Sequence, residues 1–325
     1  MQKVMDFILS LFLPAKIGRF RTMSVLFAIA IFLLESYVLY FPYRQAILDQ
    51  GPKIEEEYWI KPLKELPDND DVKAFAQELN DLGCTADANG KLVCSGLEDG
   101  DLYEKHLTFK PENGAYTKKL HFFIDYYIEK DPRVDLKEGF KSADYPYVEN
   151  EEDYFLVLTP QFLYYQAYTM LTEAEKKDPV KHGDEALVGA AITLHYGIFK
   201  EFDLKVDEPA VSGYLIGDYL ARKIVEGMVE AYASSSIINL FLIAFLFPLL
   251  FITIYWLVFK RTGKLRYFKE YYNIAAIASL VPLLIVFVIA WFLPVVIDWY
   301  MFAFGLYYLF ILYRVNNARE IEEPL

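Results

Sequence analysis

Apolar residues dominate two uninterrupted runs in the last third of the chain. Ile237 to Phe259 carries no charge, with Asn239 and Thr253 as its polar interruptions, and Asn273 to Leu293 is likewise uncharged apart from a tolerable break at Pro282. Each is long enough, as a helix rising about 1.5 Å per residue, to cross roughly 30 Å of hydrocarbon. A shorter run rich in Tyr and Phe, residues 298–313, follows a turn at Pro294 to Asp298, so these last two runs form a tight antiparallel hairpin. One further run, residues 23–43, lies near the N-terminus. The pattern predicts an α-helical integral membrane protein with four transmembrane helices, and a long polar insertion between helices 1 and 2.

Within the insertion, residues 44–236, the periodicity changes. Gly51, Pro52, Pro62 and Pro67 mark a connecting stretch, after which Val72, Phe75, Ala76, Leu79 and Leu82 share one helical face, with Asp70 or Asp71 as cap and Gly83 as stop. Alternation predicts strands over Tyr103 to Lys110, Leu120 to Glu129 and Tyr154 to Leu158. Helices are expected from Phe162 to Lys177 and, capped by Asp184, from Glu185 to Phe199. Another starts near Ser212, with Ile216, Leu220, Ile224 and Met228 at four-residue spacing, and no Pro before Pro248 stops it from continuing into the span at Ile237. That stripe is a packing face or, if the protein is dimeric, the first choice for the contact. The insertion therefore reads as a small α+β domain, an antiparallel sheet covered by helices.

Charge sets the orientation. Lys260, Arg261, Lys264, Arg266 and Lys269 fill the loop 260–272, Arg314 and Arg319 lie in the tail 314–325, and Lys16, Arg19 and Arg21 precede the first span. The positive-inside rule places all three in the cytoplasm and residues 44–236 outside it, in a multi-pass protein of the cytoplasmic membrane. Of a formal net charge of −13, the stretch 44–235 contributes −17, with 21 basic against 38 acidic residues, and the rest of the chain +4. Such an acidic domain excludes nucleic acid and anionic lipid as its partners, while the spans imply the lipid bilayer. Residues 1–22 read as a cytoplasmic amphipathic segment, with Met1 to Leu13 lying on the inner membrane surface rather than serving as a cleaved signal peptide.

Candidate chemistry is sparse. Cys84 and Cys94 flank Ala88, Asn89 and Gly90; if these form the hairpin loop, Asp87 pairs with Lys91 and the cysteines fall opposite one another, with Cα atoms about 4.5 Å apart. A structural disulfide is the favoured reading, with a free thiol pair or metal ligation as the alternatives. Glu35 is the one charge within a span, with Tyr307 and Asn239 as polar groups near its depth. It reads as a structural interhelix hydrogen bond or as part of a proton or cation relay. His182 with Asp184 and Glu185 is a weak metal candidate, and no metal or cofactor is expected. The chain lacks the zinc-protease, nucleophile-elbow, phosphate-loop and dinucleotide motifs, so no enzymatic activity is expected.

The segment FILSLFLPAKIGRFR before the first span, the NGKL hairpin, and LRYFKEYYNIAAIASLVPLL at the third span together resemble a bacterial family of four-pass membrane proteins of unknown function, one branch of which is described as maltodextrin-utilisation membrane proteins. The resemblance implies a cytoplasmic-membrane protein and assigns no site residues. The expected function is an extracytoplasmic binding or sensing domain, accessory to a transport or envelope system through transporter subunits or a homo-oligomer. The alternative is a transporter, or a mechanotransmission subunit laid out like an export-type ABC permease, that uses the bundle and Glu35.

Overall fold

The computed structural model describes residues 14–57, 59–111, 114, 116–126, 148, 150–170, 187–205 and 214–318. The chain divides into two compact units, one formed by Met1–Asp49 with Tyr232–Leu325 and the other by Gln50–Ala231.

The first unit is helical. After a 3-10 helix at Pro14–Thr22 come α1 (Val25–Leu48) and the last part of α3 (Tyr214–Phe241), then α4 (Phe247–Phe259), α5 (Phe268–Ala278), α6 (Leu280–Ala290) and α7 (Tyr300–Asn317). Four stretches are long and apolar enough to cross a membrane: Val25–Ile54, Ile216–Phe259, Phe268–Ala290 and Pro294–Asn317. Two of them contain breaks with a shared cause. Pro282 has no N–H for the Ala278 carbonyl, and α5 gives way to α6 at Ser279. Likewise Pro248 withholds a donor from Ala244, and the turn Leu242–Leu246 widens to a π-helix before α4 resumes. α1 buries Ala28, Ile31, Phe32, Glu35, Ser36, Leu39 and Pro42, one stripe at three- and four-residue spacing. α7 buries Tyr300, Phe304, Tyr308, Ile311, Leu312 and Val315 in the same way. Their aromatic rings interlock, Phe32 meeting Phe304 edge-on at 6.4 Å and Phe304 stacking on Tyr308 at 5.6 Å.

Near the N-terminus, Asn273 of α5 donates to the carbonyls of Arg21 and Met23, at 3.0 and 2.6 Å, and Ile17 and Phe20 join the bundle core. Residues 14–22 are thus packed into the bundle, while the amphipathic segment expected at Met1 to Leu13 lies outside the described residues.

The second unit contains α2 (Asp70–Leu82) and strands β1 (Cys84–Ala86), β2 (Leu92–Cys94), β3 (Asp101–Phe109), β4 (Thr117–Tyr126), β5 (Glu151–Leu158), β6 (Phe162–Met170) and β7 (Leu187–His195), followed by the start of α3. Asn69, one residue earlier than expected, caps α2 by accepting from the Val72 N–H at 2.9 Å, with Asp70 and Asp71 in the first turn. Gly83 ends it at φ 55°, a left-handed conformation that favours glycine.

β3 to β7 form one sheet in chain order. All pairings are antiparallel except β4 with β5, which is parallel, so the fully antiparallel sheet expected from the sequence is corrected. The helices expected at Phe162 to Lys177 and Glu185 to Phe199 are corrected too: Phe162–Met170 and Leu187–His195 are strands. In β6 the buried Leu163, Tyr165 and Ala167 alternate with half-buried Tyr164, Gln166 and Tyr168, a period of two that the helical reading overlooked in favour of length and apolar content.

One sheet face packs on α2, where Phe75 meets Phe122 at 5.0 Å. On the same face Lys118 donates to Glu65 at 2.6 Å, Tyr154 donates to Glu152 at 2.7 Å, and Tyr165 donates to the Trp59 carbonyl. Burial and then the Glu152 charge push the Tyr154 hydroxyl well above its usual range. Ile216, Leu220, Ile224 and Met228 are all buried within the chain. Gly217 and Gly227 let this part of α3 approach the Leu63 carbonyl and the Phe199 ring. The stripe offered as a dimer contact is therefore occupied by the chain itself.

Candidate functional site

Glu35 is fully buried on the inward stripe of α1. Tyr300, at the first residue of α7, donates its hydroxyl to one carboxyl oxygen at 2.7 Å, and Ser279 contacts the other. The same hydroxyl lies 2.8 Å from the Ala276 carbonyl, so its one proton is shared between that oxygen and the carboxyl. Three helical segments therefore converge on one carboxyl group. The break above Pro282 sets the position of the Ser279 hydroxyl, and the apolar surroundings of both oxygens make these two contacts their source of compensation for lost water.

Neither sequence-chosen neighbour takes this place. Asn239 is exposed, and Tyr307 is half-buried seven residues beyond Tyr300, roughly 10 Å further along α7 at about 1.5 Å per residue. Tyr300 is the first residue of α7, a position that matching polar groups by depth along the spans does not pick out.

In the second unit, the hairpin expected between the cysteines is present in the expected register. Cys84 pairs with Cys94 and forms a disulfide, with Cα atoms 3.9 Å apart. The Asp87 N–H donates to the Lys91 carbonyl at 2.8 Å, and its carboxylate accepts from the backbone N–H groups of Asn89 and Lys91 at 2.9 and 2.8 Å. These bonds, the Lys91 N–H foremost, hold the Asp87 carboxyl below its usual range. Gly90 has φ 71°, and a Cβ there would stand 2.8 Å from the Gly197 nitrogen.

Two of the four histidines come together on the sheet. The β3–β4 register places His106 directly opposite His121, and their Nδ1 atoms lie 2.8 Å apart, so one ring donates and the other accepts. His106 Nε2 faces the Glu104 carboxylate, and His121 Nε2 lies 2.9 Å from Asp153 of β5. The result is a hydrogen-bonded row, Glu104, His106, His121, Asp153, across three strands. The His121 ring stacks on Phe155 at 4.7 Å, beside the buried Phe123 and Val157 and half-buried Tyr164 and Tyr168. Glu104 and His106 are 45% and 43% exposed, so the row runs from solvent into an aromatic cluster. The available signal was the pairing of two alternating strands across residues 110–116, which would have brought the histidines into register.

The described residues hold no group of three or more His, Cys, Asp or Glu side chains suited to a metal ion. The weak candidate at His182, Asp184 and Glu185 lies outside the described residues. On this geometry the chain is a multi-pass membrane protein in which a disulfide-linked β domain separates the first and second spans, and that disulfide fits an extracytoplasmic location. No protein-family model, curated protein or solved structure matches the chain.

Proposed function

We propose that the inserted domain binds or senses a ligand or protein outside the cytoplasm and that the protein is a non-enzymatic accessory of a membrane transport or envelope system, with both termini cytoplasmic. One contrast carries this reading. The carboxyl group in the bundle is enclosed, with a hydrogen-bond partner for each oxygen. Recognition chemistry is concentrated instead on the sheet, where the Glu104 to Asp153 row borders aromatic side chains and reaches solvent at His106. A closed, satisfied carboxyl suits helix assembly better than ion passage.

The test is purification of the full chain in mild detergent from its native membrane, with mass spectrometry of co-eluting proteins, for the wild type and for His106→Ala. Recovery of a stoichiometric transport or envelope component, reduced by His106→Ala, is the expected result. A wild type that elutes alone, together with transport activity abolished by Glu35→Gln at normal membrane levels, overturns the accessory reading in favour of a transporter.

A further inference from the structure

The end of the bundle that carries the basic loop holds a groove of about 530 Å³ between the last turns of α4 and α7. Its walls are apolar: Phe259 on one side, with Leu306, Leu309, Phe310 and Tyr313 on the other. Leu306 and Tyr313 are 71% and 64% exposed, so this wall faces away from the bundle core. The far end is polar, closed by Thr262, Gly263 and Asn316. Asn316 accepts from the Lys264 N–H at 2.9 Å, and Lys264 donates to the Ala318 carbonyl, which latches the loop across the end of α7. A Cβ at Gly263 would come within 2.8 Å of the Asn316 side chain, so the latch depends on a glycine there.

Cations flank that polar end. Arg261 precedes Thr262, Arg314 follows Tyr313, and both side chains are exposed, without a hydrogen bond or ion pair among the described residues. The surrounding loop adds Lys260, Lys264, Arg266 and Lys269 against the single acid Glu270. An apolar trough whose polar end adjoins in sequence two exposed arginines without a side-chain partner among the described residues, on a helix bundle in a bilayer, matches a molecule with a hydrocarbon chain at one end and a negative charge at the other.

We propose that this groove binds one anionic phospholipid, its acyl chain along Leu306, Leu309 and Phe310 and its phosphate at Arg261 and Arg314. A free phosphate gains nothing from the trough. A protein helix gains nothing from the cations unless it is acidic at that one point.

The test equilibrates the purified full-length protein with equal amounts of phosphatidylglycerol and phosphatidylcholine in mixed micelles. The protein is then repurified without lipid, and retained phospholipid is quantified per chain by mass spectrometry. The wild type is expected to keep about one phosphatidylglycerol per chain in preference to phosphatidylcholine, undisturbed by inorganic phosphate. Leu309→Trp, which fills the trough and leaves the cations, is expected to lose the lipid. Arg261→Gln with Arg314→Gln is expected to lower the anionic preference by about fivefold per cation removed. Leu306→Trp, at a more exposed position, gives the same readout should Leu309→Trp fail to fold. Equal retention of the two lipids by the wild type overturns the proposal. So does full retention by the trough-filled variant that folds, displacement by inorganic phosphate, or a dimer mass in place of a bound lipid.

Discussion

The hydroxyl of Tyr300 donates to the buried carboxyl of Glu35 at 2.7 Å, joining the first spanning helix to the last. Each partner has a predictable substitution series. Tyr300→Phe leaves a carboxyl oxygen without its donor and should cost about 1–3 kcal/mol, read as a lower thermal midpoint in detergent. Glu35→Gln should be close to neutral for stability. Its amide oxygen can accept from Tyr300, and its amide nitrogen can donate to the Ser279 hydroxyl, whose one proton can then go to the Ala276 carbonyl. Glu35→Ala, which removes both contacts and leaves a cavity, should be the most damaging of the three. Gln as harmful as Ala would show that the charge matters for the fold beyond its hydrogen bonds.

The hairpin between the cysteines makes a second prediction. Replacing both Cys84 and Cys94 by Ser removes a cross-link that closes a short loop, a loss of about 2–3 kcal/mol to the domain. Gly90→Ala meets two obstacles at once, a left-handed backbone and the Gly197 nitrogen 2.8 Å from the new Cβ. It should destabilise by more than the roughly 1 kcal/mol expected for an unfavourable φ alone. Chemical unfolding of the two variants beside the wild type gives both values.

Asp87 carries a pH dependence whose sign follows from its lowered pKa. A carboxyl held below its unfolded value stabilises the folded state above that value, near pH 4, and the contribution disappears as the pH falls through the lower folded value. The protection of the Lys91 amide against hydrogen exchange, relative to an unfolded chain at the same pH, should therefore fall as acid is added below about pH 4, since that amide bonds to this carboxylate. In Asp87→Ala that amide should exchange faster throughout and show no such step.

Topology is testable with single cysteines in a chain whose Cys84 and Cys94 are both Ser. Lys110 and Arg261 are exposed in the inserted domain and the basic loop respectively. A membrane-impermeant maleimide should label Lys110→Cys in intact cells and Arg261→Cys only after the membrane is opened. The reverse pattern would invert the orientation taken from the basic residues.

Much of this architecture was readable because it rests on strong local signals. The uncharged runs at Ile237 to Phe259 and Asn273 to Leu293, the one-sided apolar spacing of α2 and the Asn-Gly turn between the cysteines each express a single physical demand. β6 and β7 were misread because the helical assignment weighted their length and apolar content, although Leu163, Tyr165 and Ala167 already alternated with Tyr164, Gln166 and Tyr168. The candidate sites were harder still, since both depend on what lies far away in the chain. Glu35 was identifiable as an unusual intramembrane acid, but its partners depend on where a proline breaks one helix and where another begins. The His106–His121 contact exists only through the β3–β4 register, and neither residue carries a sign of it in its immediate neighbours.

The parallel join between β4 and β5 bears on the order of assembly. β3 with β4, and β5 with β6, are neighbours across short connections, whereas the join must bring together strands separated by all the residues between Tyr126 and Glu151. Closing a longer loop costs more chain entropy before any contact returns it, so the local hairpins are expected to form first and the seam last. His121 and Asp153 stand on opposite sides of that seam. Asp153→Ala, which removes the contact with His121 across the seam, should then chiefly speed unfolding and leave the folding rate near wild type in stopped-flow experiments. The polar row across the sheet would be completed only in the final step of folding.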